Sequence, residues 1–216
     1  MSALDTPIFI NTKDRVSFLS RQVELLLCQG YTNLHIIDTG STWPGMLEYQ
    51  EKVGVPIYRC TPTENPHLAL WNCDIFEKSR QAGCAFVYTD CDILPDCSPD
   101  WLQNLYGILD RHGDFPKAGL GLRIDDLPDH YPKKQQVIEW ESQFWEKSVE
   151  HLLFEADIDT TLALYRPNSA WSMKALRTGG NFVARHLPWY SNPADLAPDE
   201  AHYFTNMSAG VGHWRL

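Results

Sequence analysis

Positive charge is in short supply in this chain: 18 Lys and Arg face 28 Asp and Glu, for a net charge of -10. That balance excludes the clustered basic face that a nucleic-acid groove needs, and it excludes electrostatic capture by anionic lipid. Long apolar runs are missing too. None approaches the roughly 18 to 20 residues that span a bilayer, and residues 1–7 show neither a basic n-region nor an apolar h-region, so a cytoplasmic location is expected. The six cysteines (Cys28, Cys60, Cys73, Cys84, Cys91, Cys97) form no Cys-x-x-Cys pair. Free thiols packed as small hydrophobes are therefore expected, and a structural zinc is not. Repeats, low-complexity tracts and linkers are absent as well. What remains is 216 residues with 44% hydrophobic and 12% aromatic content, enough for one substantial core and one domain.

The first half alternates strand and helix signals, which predicts an α/β fold with a mainly parallel central sheet flanked by helices. Strands are expected at 7–11, 34–38, 56–59, 85–88 and 118–124. Helices are expected at 16–29, where Gly30 supplies the stop, and at 46–53, 69–82 and 98–112, the last with Ser98 as N-cap and Pro99 in first position. The second half is less regular. A helix is expected over 135–153, strands over 158–165 and 181–184, and a short helix over 198–207.

The run Phe86-Val87-Tyr88-Thr89-Asp90-Cys91-Asp92 ends an apolar strand in two carboxylates one residue apart. In extended backbone such side chains point the same way, so Asp90 and Asp92 can converge on one hard cation beyond the strand end. A divalent ion held there with open positions would neutralise the phosphates of an activated donor. A solvated turn carries the same pair, since Asp is common in turns for its backbone hydrogen bonding.

Three elements occur in order: Asn11-Thr12-Lys13-Asp14-Arg15 after the first strand, Ile36-Ile37-Asp38-Thr39-Gly40-Ser41-Thr42 after the second, and Thr89-Asp90-Cys91-Asp92 about fifty residues later. Together they resemble the nucleotide-sugar half of a GT-A glycosyltransferase, similar to the family 2 enzymes, over roughly residues 7–110; residues 111–216 would form the acceptor half. The resemblance implies a single GT-A-type, Rossmann-like domain moving a sugar from a nucleotide diphosphate donor, chiefly a UDP-sugar, to a hydroxyl of a saccharide or other acceptor. It also implies donor contacts from Thr12, Asp14, Arg15, Asp38 and Asp90. Asp90 and Asp92 would hold Mn2+ or Mg2+, both of which prefer carboxylate, phosphate and water oxygens.

A late histidine often completes such a metal shell. His186, in Arg185-His186-Leu187-Pro188-Trp189-Tyr190, resembles the histidine before Pro-Trp in some family 8 enzymes; His213 is its rival, and a histidine satisfied within a loop is the plain alternative. No Glu-Asp dipeptide supplies the base that inverting relatives carry. Asp159 and Glu141 are the leading candidates, with Asp125 and Asp126 behind them. Trp140, Trp145, Trp171, Trp189 and Tyr190 could line a saccharide cleft; Trp189 and Tyr190, in a loop, are the better acceptor platform, whereas Trp140 and Phe144, at helical spacing, are more often packing residues. Arg177-Thr178-Gly179-Gly180 fits either a turn or a donor-side cradle. The competing functions are a non-catalytic nucleotide-sugar or saccharide-binding module and a nucleotidyltransferase, the latter disfavoured because no Gly-rich basic loop follows the first strand. A homo-oligomer would supply acceptor elements that so short a chain lacks.

Overall fold

Alternation of large apolar side chains along the first strand sets the layering: Ile8 and Ile10 join one core, Phe9 the other. The computed structural model describes residues 2–60 and 65–206. The chain runs β1 (Ile8–Thr12), α1 (Val16–Cys28), β2 (Leu34–Asp38), α2 (Pro44–Lys52), β3 (Ile57–Arg59), α3 (Ala69–Asn72), α4 (Ile75–Ser79), β4 (Phe86–Asp90), β5 (Ile93–Pro95), α5 (Trp101–Arg111) and β6 (Lys117–Leu122). It continues through α6 (Lys134–Ser142), β7 (Ser148–Glu150), β8 (Leu153–Glu155), β9 (Ala163–Tyr165), β10 (Leu176–His186) and α7 (Pro198–Asn206).

The strands form one sheet in the order β3-β2-β1-β4-β9-β6-β10-β8-β7, with β5 paired to β10. Strands β1 to β4 pair in parallel, β9 runs antiparallel to both β4 and β6, and β6 is again parallel to β10. Flanking helices cover both faces, so the expected α/β class, with a mainly parallel central sheet, is the one observed. Since β1, β2, β4, β6 and β10 all point one way, Thr12, Asp38, Asp90, Leu122 and His186 end on a single edge. In open α/β sheets that carboxyl edge is where ligands sit.

Several expected boundaries are corrected. The 69–82 helix is two short helices, broken where Asp74 takes a left-handed φ of 54°. Ser98 does not cap α5 with its side chain; its carbonyl receives the Trp101 N–H at 3.1 Å, and the helix begins at Trp101. The 135–153 helix stops at Ser142, and the rest turns into the β7–β8 hairpin. Only Ala163–Tyr165 of the 158–165 segment is strand, while the last strand is longer than expected, Leu176–His186. Its register shifts between Thr178 and Val183, where Gly180 has φ 62°. At Gly179 a Cβ would stand 2.9 Å from the Trp145 ring, so the bulge admits that indole only because the side chain is missing. All six cysteines are free.

Candidate active site

The pairing of β5 with β10 places Ile93 opposite His186, and the Leu187 N–H donates to the Asp92 carbonyl at 2.8 Å. Asp92 and His186, 94 residues apart in sequence numbering, are thereby brought to 3.4 Å between Oδ2 and Nε2. Asp90 ends β4 one step away, its Oδ2 accepting from Thr160 Oγ1 at 2.5 Å and its Oδ1 from Asn11 Nδ2 at 3.2 Å. Burial, followed by the neighbouring Asp92, pushes the Asp90 carboxyl up to about 8. Burial would raise Asp92 as well, but His186 and Arg15 outweigh it and hold that carboxyl well below the usual range.

A cavity of about 580 Å3 opens beside these groups. Of the expected site residues it is lined by Arg15, Asp90, Asp92, Glu141, Asp159, His186 and Trp189. Asp159 is exposed and its Oδ1 accepts from the Thr160 N–H at 2.6 Å. Glu141 is buried and receives Arg177 NH1 at 2.9 Å, and its carboxyl is raised by burial against the pull of Arg177. Arg177 also donates from Nε to the Asp157 carbonyl at 2.8 Å and lies 4.0 Å over the Phe144 ring. Arg177 is therefore a cavity residue within a strand rather than part of a surface turn.

Thr12, Asp14 and Asp38 are on the same edge but outside the cavity lining. Asp14, buried with φ 61°, accepts at Oδ1 from the N–H groups of Thr42 and Trp43 and so caps the start of α2 from a distance. Asp38 Oδ1 accepts from the Ser41 N–H at 2.9 Å, and the Thr12 carbonyl receives the Thr39 N–H at 3.0 Å. Tyr190 also lies away from the cavity: its hydroxyl donates to Asp126 at 2.6 Å and its ring carries Arg185. Asp126 accepts from Arg185 NH2, which accounts for it as a surface ion-pair partner. Trp189 is a buried wall residue, edge-on to His186 at 4.6 Å. Trp140 departs from the packing role expected of it: it is 54% exposed while lining the cavity. His213 lies outside the described residues.

The sequence reading missed the part played by α7. Glu200 takes Arg15 through both carboxylate oxygens at 2.7 Å, Asp199 Oδ2 accepts from the Ser17 N–H at the start of α1, and Tyr203 lies 4.6 Å under the Arg15 guanidinium. The acidic first turn Pro198-Asp199-Glu200 marks a helix start in the sequence, but nothing in it names the arginine that it meets.

Asp90, Asp92 and His186 match in kind the oxygen and nitrogen donors a hard divalent cation accepts, with the imidazole favouring manganese. They are not grouped as a ready cage. Among the described residues no three His, Cys, Asp or Glu side chains stand in a metal-holding cluster, and the Asp92 Oδ2 that faces His186 also carries Arg15. Such a set suits a cation that brings phosphate oxygens with it better than one held by protein alone.

No protein-family model matches the chain, and no curated protein matches it. Solved structures do. A crystal structure of S. aureus TarS shares 11% identity over 85% of this chain and 60% of its own, with a TM-score of 0.47. Glucosyl-3-phosphoglycerate synthase from Mycobacterium tuberculosis, in complex with Mn2+ and UDP-glucose, shares 15% over 75% of this chain and 56% of its own, at 0.41. A mycobacterial protein shares 13% over 84% and 66%, at 0.44. The likeness is one of fold. The chain spans 56 to 66% of the length of these three structures, and at such identities they say nothing about its substrate. No described helix is long and apolar enough to cross a membrane.

Proposed function

We propose that this chain is a metal-dependent glycosyltransferase that moves a sugar from a nucleotide diphosphate donor, a UDP-sugar by preference, to a hydroxyl of a saccharide or other acceptor. The observation that carries the reading is the convergence of Asp90, Asp92 and His186 with the open carboxylate of Asp159 on one cavity at the carboxyl edge of the sheet. Residues 7–110 would serve as the donor half and 111–216 as the acceptor half of one unit. A nucleotide-linked donor and six unpaired thiols both favour a cytoplasmic setting.

Asp90, Asp92 and His186 would hold Mn2+ or Mg2+. When bound, the ion neutralises the diphosphate charge and stabilises the leaving group. Arg15 orients Asp92, and Glu200 fixes Arg15 in turn. Thr12, Asp14 and Asp38 frame the nucleotide through the turns after β1 and β2, with Asp14 acting by holding the start of α2 in place.

Asp159 is the better base. It is exposed to the cavity, whereas Glu141 is buried in its pair with Arg177 and serves to position that arginine and the cavity wall. As the acceptor oxygen bonds to the anomeric carbon and the carbon–oxygen bond to the diphosphate breaks, the hydroxyl proton passes to Asp159, the course of an inverting transfer. The test is a hydrolysis and transfer screen of UDP-, GDP- and dTDP-sugars with manganese, magnesium or EDTA. Activity indifferent to EDTA and to Asp92→Ala would contradict the proposal. The ion pair of Asp92 with Arg15 favours one second reading, a nucleotide-sugar or saccharide-binding module without turnover, which predicts donor binding but no hydrolysis.

A further inference from the structure

The charge lining the cavity is one-sided. Five carboxyl groups face it, from Asp90, Asp92, Glu141, Asp157 and Asp159, against the two arginines Arg15 and Arg177 and the imidazole of His186. Both arginines are already held in ion pairs with carboxylates of the chain. Arg15 spends Nε and NH2 on Glu200 and NH1 on Asp92, while Arg177 spends NH1 on Glu141, Nε on the Asp157 carbonyl and its face on Phe144. No lysine lines the cavity among the described residues. A phosphate or carboxylate on the acceptor would meet an excess of carboxyl groups and two arginines already held in ion pairs.

The mouth of the same cavity carries an unusual apolar surface. Trp140 on α6 is 54% exposed, Phe144 stands edge-on to it at 6.3 Å, and Met173, 38% exposed, also lines the opening. Val137 and Glu141 are the buried residues of α6, so Trp140 is not needed to seat that helix. A large indole left open at a cavity mouth offers a flat face for the C–H side of a sugar ring. The exposed carboxylates of Asp157 and Asp159 behind it accept hydrogen bonds from ring hydroxyls without needing a charged partner.

We infer that the acceptor is an uncharged saccharide whose ring stacks on Trp140, with its hydroxyls turned toward Asp157 and Asp159. This rests on the transferase reading for the word acceptor, but the binding itself does not depend on turnover. Sugar stacking explains the exposed indole, and the committed arginines explain why acidic acceptors are refused.

The test is equilibrium binding of the full chain, with UDP and Mn2+ present, to a panel of neutral oligosaccharides and their phosphorylated, sulphated and uronic acid counterparts. Neutral glycans are expected to bind at least tenfold more tightly than their acidic counterparts. Trp140→Ala is expected to weaken neutral binding at least tenfold without moving the unfolding midpoint, and Trp140→Phe to restore most of it. Equal or tighter binding of acidic glycans, no glycan binding at all, or indifference to Trp140→Ala would each overturn the inference. Hydrolysis of UDP-sugars by the unmodified chain, measured in parallel, separates the two claims. Trp140-dependent neutral binding without hydrolysis removes the transferase reading alone, and hydrolysis with charge-indifferent binding removes this one alone.

Discussion

Arg15, the residue just before α1, donates from NH1 to Asp92 Oδ2 at 2.5 Å, joining the turn after β1 to the loop after β4. Both side chains are 9% exposed, and Glu200 grips the other side of the same guanidinium. Removing the arginine would strand two buried carboxylates. Arg15→Ala is therefore expected to lower unfolding stability by about 3 to 5 kcal/mol, the usual cost of breaking a buried pair. Arg15→Lys should recover little, because an ammonium cannot reproduce the bidentate fork that meets Glu200. Urea denaturation checks both; a loss under about 1 kcal/mol for Arg15→Ala would show that the network is solvated.

Lys117 gives a pH test away from Asp90, Asp92 and His186. It is fully buried, with Nζ donating to the Ile158 carbonyl at 2.5 Å, the Tyr165 hydroxyl at 2.9 Å and the Asp159 carbonyl at 3.3 Å. Burial draws it down to about 7 from an ordinary value of 10.5. Between those values the unfolded chain binds a proton that the folded chain does not, so this group's contribution to stability rises with pH across that window. Below about 7 the penalty is present in full. Urea midpoints at several pH values from 7 to 10 should therefore climb more steeply in the unmodified protein than in Lys117→Met. Parallel slopes would mean that the three oxygens hold the ammonium charged throughout.

Asp159 and Glu141 should separate in kinetics and stability. Asp159→Asn is expected to lower kcat roughly 100- to 10,000-fold, the range for loss of a general base, with little change in folding. Glu141→Ala should instead cost about 3 kcal/mol of stability by leaving Arg177 buried without its ion pair. Steady-state kinetics beside thermal unfolding distinguishes the roles. A large kcat loss in a stable Glu141 variant, with Asp159→Asn active, would exchange them.

The first half of the chain was the more legible. Strand β2 falls where alternation and turn chemistry put it, and β1, α1 and α5 shift by a few residues, because each buries a continuous apolar face that local pattern records. The meeting of Asp92 with His186 depends on β5, a three-residue strand too short to show a period, so His186 came from the family resemblance and not from any local pattern. Trp140 was weighed toward packing over a saccharide cleft because helical spacing records which face a residue occupies, not whether anything covers that face. Glu200 was invisible for a different reason. Its partner is 185 residues away, and a carboxylate opening a helix looks the same whether it caps the helix or clamps a distant arginine.

Titration calorimetry of UDP into the full chain, with Mn2+ or with EDTA, decides whether Asp90 and Asp92 serve a cation carried by a nucleotide diphosphate. Binding is expected with Mn2+, abolished by EDTA and at least tenfold weaker in Asp92→Asn. UDP binding of equal strength with and without the metal, or unchanged in Asp92→Asn, would contradict that role.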